Sequence, residues 1–248
     1  MSALLGVQQI SKSFRGLKAL ANVSFEIQPN TIAALIGPNG AGKTTLFNII
    51  AGAQTADRGA IVFDGRRIDG LRPDQICHLG IARTFQIVKT FAGLTVLDNV
   101  VIGALDRCAR VKEACEHADA ILDAVGLGPK RNLASAVLTL PDRKLLELAR
   151  ALATRPKLLL LDEVLSGLRP AECDRVLELL RGIAEREGIS LILIEHVMRA
   201  VMALAHTVIV LHHGEVIAQG APSDIVRHPA VLDCYLGAEI GDNDAGNL

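Results

Sequence analysis

Apolar and polar positions alternate, or run apolar briefly, at residues 4–10, 23–27 and 59–63, the last followed by the turn pair Asp64-Gly65. This period of two predicts short strands, and together they make an antiparallel layer. A fully apolar run at 32–36 leads into a glycine-rich stretch and then the helix-like 46–51. From 95 to 124 the spacing changes. Val96, Val100 and Val101, then Ala114, Ala118, Ile121, Leu122 and Val125, recur at intervals of three and four, which predicts a helical insertion. Beyond it the pattern predicts a helix at about 141–154, a strand at 157–161, a helix at 170–187 and a strand at 190–194. Strands at 207–211 and 216–219 and a last helix near 223–228 complete the chain. Strands alternating with helices imply a mostly parallel, helix-covered sheet, with ligands gathered at the carboxyl ends of the strands.

Composition narrows the class. The 248 residues are half apolar and 21% charged, enough for one large domain or two small ones with a substantial core. A formal net charge of -1 argues against a general nucleic-acid binder, and leaves a local basic patch open. No apolar run approaches the roughly 20 residues of a membrane-spanning helix, so the chain is expected to be soluble. Residues 1–11 lack the basic-then-apolar order of a secretion signal. Five cysteines without a C-x-x-C pair read as reduced, mostly buried thiols. The polar tail 241–248 is expected to fray.

The chemistry begins at Gly37-Pro38-Asn39-Gly40-Ala41-Gly42-Lys43-Thr44-Thr45, between the apolar run and the helix-like stretch. Glycine, four residues, glycine, lysine and then threonine is the pattern of a phosphate-binding loop. The glycines allow main-chain N–H groups to turn inward around phosphate oxygens. Lys43 can reach the β and γ phosphates, Thr44 can offer a hydroxyl to Mg²⁺, and the helix start adds its positive dipole end. Downstream, the run 158–161 ends in Asp162-Glu163. Beside a nucleotide, Asp162 would hold Mg²⁺ through its water shell and Glu163 would orient or deprotonate the attacking water. His196, after the strand at 190–194, stands where a side chain could reach the γ phosphate. The other histidines read as incidental, and Gln86, after Arg83-Thr84-Phe85, means little by itself.

In order and spacing, these residues resemble the ATP-binding subunits of ABC transporters along essentially the whole chain. Gly37 to Thr45, Gln86, the strand ending in Asp162 and Glu163, and His196 match the family's Walker A, Q-loop, Walker B with catalytic glutamate, and switch histidine. The resemblance implies an α/β P-loop NTPase of the ABC cassette type, spanning 1–248 as a single ATP-binding domain. Its parts would be a mostly parallel core sheet, an antiparallel β layer and a helical subdomain at about 87–155. Lys43, Gln86, Glu163 and His196 would be catalytic, and Thr44, Gln86 and Asp162 would serve Mg²⁺. Phe14 falls where the family stacks an aromatic on adenine; a core phenylalanine is the alternative. Gly80-Ile81-Ala82-Arg83-Thr84-Phe85-Gln86, the stretch 91–100, Glu195-His196-Val197-Met198 and the closing Tyr235-Leu236-Gly237 are similar to the branched-chain amino acid uptake group. Related cassettes for urea, amides or lipopolysaccharide share much of this wording.

The resemblance breaks at one motif. Where the family has a serine-glycine-glycine-glutamine type signature, which completes the partner's site, this chain has Leu138-Thr139-Leu140-Pro141-Asp142. Thr139 keeps a hydroxyl, and Thr139 or Leu140 could cap a helix with Pro141 in its first turn. Pro141 has no N–H to donate, and Leu140 adds bulk. Arg169 stands where the family usually has aspartate or asparagine. The expectation is a heterodimer with two unequal sites, the one capped by Thr139 to Asp142 hydrolysing poorly. The resemblance implies ATP and Mg²⁺ as cofactors, a second, different ATP-binding subunit, membrane permease subunits, and indirectly a periplasmic substrate-binding protein. It places the chain in the cytoplasm, peripheral on the inner membrane. A ribosome- or DNA-directed ABC ATPase, a GTPase or small kinase, and a non-hydrolysing regulator are the rival classes. The first usually carries two cassettes or a long coiled coil, and the second a guanine-reading Asn-Lys-x-Asp segment, neither of which occurs here.

Overall fold

The computed structural model describes residues 2–85 and 90–241, with side chains to residue 235. In chain order the elements are β1 (Leu5–Phe14), β2 (Leu17–Ile27), β3 (Ile32–Ile36), α1 (Lys43–Ile50), β4 (Arg58–Phe63), β5 (Arg66–Arg67), α2 (Pro73–Leu79) and β6 (Ile81–Arg83). Then come α3 (Val96–Ala104), α4 (Val111–Ala124), α5 (Leu140–Ala153), β7 (Leu158–Asp162), α6 (Pro170–Glu187), β8 (Ser190–Ile194), α7 (Met198–Leu204), β9 (Thr207–His212), β10 (Glu215–Gly220), α8 (Pro222–Ile225) and α9 (Pro229–Gly241). Two compact units emerge, residues 1–72 with 192–248, and residues 73–191. Among the described residues no helix is long and apolar enough to cross a membrane.

The first unit holds an antiparallel sheet in the order β2-β1-β4-β5, as the alternating patterns predict. Leu5 pairs with Ile27 on one side and with Phe63 on the other. A second layer has β3 beside β9 in parallel register, Ala33 opposite Thr207 through Ile36 opposite Val210, with β10 antiparallel on β9. All five residues of β3 are buried, which explains its unbroken apolar sequence. Leu46, Phe47, Ile49 and Ile50 give α1 its buried face.

The second unit pairs β6 with β7 in parallel, Ile81 opposite Leu158 through Arg83 opposite Leu160. The predicted helical insertion at 95–124 divides into α3 and α4. Thr95 caps α3, its hydroxyl accepting from Asp98 N at 3.0 Å. Between the two helices Arg107 reaches away to donate to Thr154 O at 2.7 Å and Cys77 O at 2.9 Å. Among the helices, α2, α7 and α9 have no counterpart in the sequence pattern. The last predicted helix, near 223–228, becomes the short α8, and the chain continues into α9. Of the side chains in α9, Val231 and Cys234 are buried while Leu232 is exposed, so its apolar residues do not mark one clean stripe.

Phe47, on the buried face of α1, is 0% exposed. Phe47→Ala is expected to lower the unfolding free energy by about 3–5 kcal/mol, read from the urea midpoint at unchanged slope.

Candidate functional site

The buried strand β3 delivers the chain at its carboxyl end into the loop of residues 37–42. Gly37 has φ 147°, and a Cβ there would collide with the Leu211 carbonyl. Gly42, with φ 102°, is the N-cap of α1, and a Cβ on it would strike the Ala19 carbonyl. The loop is therefore shaped by neighbouring main chain and admits only glycine at both points. Ala41 N donates to Pro38 O at 3.2 Å, and Gly214 N, in the turn between β9 and β10, donates to Ala41 O at 3.1 Å. The Lys43 ammonium folds over the loop, donating to Gly37 O at 2.7 Å and Pro38 O at 3.0 Å.

No side chain caps α1 and its first turn carries no acid. Asn39, Gly40 and Thr44 are exposed. A helix N-terminus without a side-chain cap, a fixed turn of main chain and an ammonium group together make a concave anion receptor. The loop geometry thus fits phosphate. Phe14 is 41% exposed with Lys12 Nζ 5.5 Å from its ring centroid, so the alternative of a core phenylalanine does not hold. His196 is exposed in the segment after β8, next to the buried Glu195.

In the second unit β7 ends on Asp162, whose side chain is 2% exposed and paired with Arg83 at 2.8 Å from Nη2 to Oδ2. Thr84 Oγ1 accepts from Asp162 N at 3.2 Å, and Thr84 N donates to Leu160 O at 2.9 Å. The end of β6 therefore grips the end of β7 through both main chain and charge. Glu163 has φ 48°, a left-handed conformation uncommon outside glycine. Its carbonyl accepts from the buried Lys144 Nζ at 3.0 Å and from Ser166 N at 3.1 Å. Lys144 also donates to Val164 O at 3.1 Å, so one ammonium group fastens the turn that aims Glu163. Glu147 Oε1 accepts from Phe85 N at 3.1 Å, which anchors the chain just before Gln86. Gln86 itself lies outside the described residues.

The unusual segment forms the start of α5. Thr139 is the N-cap, and its hydroxyl accepts from Asp142 N at 3.4 Å while donating to Asp142 Oδ2 at 2.7 Å. Lys130 Nζ meets the same Oδ2 at 2.6 Å. Leu140 is 48% exposed and Pro141 occupies the first turn. This helix start already faces a carboxylate of its own chain. Burial alone would raise the Asp142 carboxyl, but Lys130 and Thr139 outweigh it and hold it below its ordinary value. Arg169 is the N-cap residue of α6, its N–H donating to Glu172 Oε2 at 2.8 Å.

Residues 37–45 thus come together in one loop of the first unit, which also holds Phe14 and His196, while Asp162 and Glu163 stand together in the second. The sequence reading missed Arg83, Thr84, Lys144 and Glu147. The one available signal was a charged residue interrupting a buried strand at Arg83; the others sit in helical or turn contexts that look ordinary.

A model of the ABC transporter family matches residues 20–166, and a model described as branched-chain amino acid ATP-binding cassette transporter matches residues 215–240. The chain is 36% identical to the high-affinity branched-chain amino acid transport ATP-binding protein LivG of Salmonella typhimurium, over 94% of this chain and 98% of that one. It is 34% identical to BraF of Pseudomonas aeruginosa over the same shares. Among solved structures, a nucleotide-free ATP-binding cassette from an ABC transporter superposes with TM-score 0.86 at 29% identity, covering 94% of this chain and 99% of that one. The ADP conformation of an ATP-binding cassette of an ABC transporter gives 0.86 at 29% identity, covering 96% and 100%.

Removing one partner of the buried pair is expected to be costly. Arg83→Met should destabilise by about 3–5 kcal/mol, and the double variant with Asp162→Leu should recover most of that loss in urea denaturation. For Asp142 the folded pKa lies below the unfolded value, so its contribution is present at neutral pH and is lost as pH falls through the acid range. Asp142→Asn should therefore cost about 0.3–1 kcal/mol at pH 7, and the gap from the unmodified chain should close in denaturation curves taken near pH 3.

Proposed function

We propose that this chain, which belongs to the ABC transporter family, is the ATP-hydrolysing subunit of an importer for branched-chain or related amino acids. The observation that carries the ATPase reading is the loop between β3 and α1, which fits phosphate by its glycine-only turns, its uncapped helix start and the placement of Lys43. The substrate class rests on the relatives: LivG and BraF are branched-chain amino acid transport ATP-binding proteins. A permease in the membrane, a second ATP-binding subunit and, indirectly, a periplasmic substrate-binding protein are the partners this role calls for, with the chain on the cytoplasmic face.

Main-chain N–H groups of residues 39–44 would cradle the β and γ phosphates, with Lys43 compensating their charge and Phe14 offering a face to adenine. Mg²⁺, when bound, would neutralise charge developing on the phosphate oxygens. Thr44, Asp162 and Gln86 are the residues to hold it. Asp162 is suited to this by its fixed orientation, one oxygen being tied to Arg83. Glu163 would polarise the attacking water and His196 would meet the γ phosphate. The left-handed turn at Glu163, held by Lys144, keeps the carboxylate from relaxing into an ordinary strand end. Two nucleotides sandwiched between subunits would favour a closed pair, and loss of the γ phosphate would remove that preference.

The two sites of the pair would be unequal. The start of α5 already carries the Asp142 carboxylate in its first turn, its Asp142 amide is met by Thr139 Oγ1, and Pro141 supplies no N–H, so it is a poor clamp for a partner's γ phosphate. Turnover would rest on the site containing this chain's Glu163. In the assembled transporter, Glu163→Gln should lower kcat at least ~100-fold while ATP affinity stays within about threefold of the unmodified value. The reading is reversed if that variant keeps full ATPase activity and the corresponding change in the partner subunit abolishes it.

A further inference from the structure

The end of β1 runs out of strand partners on one side. Its pairing with β4 stops at Ser11 opposite Arg58, the first residue of β4, while its pairing with β2 continues to Phe14 opposite Leu17. Asp57, one residue before β4, takes over from there. Its N–H donates to Ser11 O at 2.9 Å, and its carboxylate accepts from Ser13 N at 2.7 Å and from Lys12 Nζ at 2.8 Å. Three consecutive residues of β1 are thereby tied to one acid, and the next residue is Phe14. The Lys12 ammonium, held by that acid, stands 5.5 Å from the centroid of the Phe14 ring. On the paired strand Leu20 lies opposite Lys12, and the neighbouring Ala19 carbonyl is the one that closes on Gly42. The exposed ring therefore sits a short step along the hairpin from the phosphate loop. We infer that Asp57 and Lys12 are positioning residues for nucleobase binding, bracing the Phe14 ring on which the base stacks. This rests on the nucleotide reading given above and adds a part to it.

Stacking needs two flat faces held in register, and a ring near the tip of a two-stranded hairpin is poorly fixed without further support. The carboxylate supplies that support through the main chain at Ser13, and the ammonium adds a cation–π contact to the ring itself. Without the brace, residues 12–14 would populate other arrangements. A nucleotide must then select the competent one, which weakens apparent affinity while the bound state is unaltered. The hydrogen bonds from Lys12 and from the Ser13 N–H hold the Asp57 carboxyl below its ordinary value, so the brace is ionised across the neutral range. Asp57 also lies just downstream of α1, so the segment that begins at the phosphate loop ends at the support for the base.

A double-mutant cycle on Mg-ADP binding to the full-length chain, read by calorimetry, tests this. Phe14→Ala should raise Kd about ten- to fiftyfold, and Asp57→Ala about five- to tenfold. In the Phe14→Ala background, Asp57→Ala should add less than about twofold, because a brace has nothing to act on once the ring is gone. General damage to the fold would instead multiply the two losses. In the assembled transporter Asp57→Ala should raise KM in proportion to Kd and leave kcat within about twofold, the pattern of lost ground-state preorganisation. A folded Asp57→Ala chain with unchanged Kd, or one whose full loss persists in the Phe14→Ala background, overturns the inference while the phosphate reading stands. So does a Phe14→Ala chain that binds Mg-ADP as tightly as the unmodified one. If Mg-ADP fails to bind the unmodified chain, both fall. Should Asp57→Ala fold poorly, Lys12→Met, which takes the ammonium from carboxylate and ring together, enters the same cycle with the same outcomes.

Discussion

Main chain meets main chain at the loop between β3 and α1 with no room for side chains in between, and the local architecture follows from that closeness. The Leu211 carbonyl closes on Gly37, the Ala19 carbonyl on Gly42, and the β9–β10 turn donates through Gly214 to Ala41. Each contact requires glycine or alanine on one side. In exchange the loop is held in one shape by two segments remote from each other in sequence, β2 at Ala19 and the end of β9 with its turn into β10. Rigid amides aimed at a fixed point bind an anion better than mobile ones because little ordering is left to be done.

A second constraint governs the acids. Asp162 is buried, and a buried carboxylate is tolerated only with a counter-charge and hydrogen bonds. Arg83 provides the first, and the main chain around Thr84 ties the strand ends together. Lys144, likewise buried, is spent on carbonyls at the turn that carries Glu163. These charges therefore hold shape locally, whatever else they do, and the polar interior of the second unit is organised around the turn after β7.

The start of α5 shows the opposite economy. A helix that must clamp a partner's phosphate keeps its first turn open to an anion; this one meets the Asp142 amide with the Thr139 hydroxyl and places there its own Asp142 carboxylate, tied to Thr139 Oγ1 and Lys130. Local stability and availability to an external anion compete at a helix N-terminus. Here the balance has moved to stability.

Sequence alone determined the antiparallel layer, the buried strands β3 and β7, the glycine-rich turn between β3 and α1, and the acid pair at the end of β7. Each is written in local order: a period of two, an unbroken apolar run, fixed glycine spacing, or two acids at a strand end. Tertiary structure alone decided the partners of those residues. Arg83 and Asp162 lie far apart in the chain, and nothing in either neighbourhood announces that one will neutralise the other. The helix α9 escaped the periodicity argument because its apolar residues do not form one stripe, and the division of 95–124 into two helices because Arg107 finds its acceptors on Cys77 and Thr154. Local pattern fixes what a segment can be. Which distant charge or carbonyl completes it depends on packing, where burial makes an unpaired group too costly to leave.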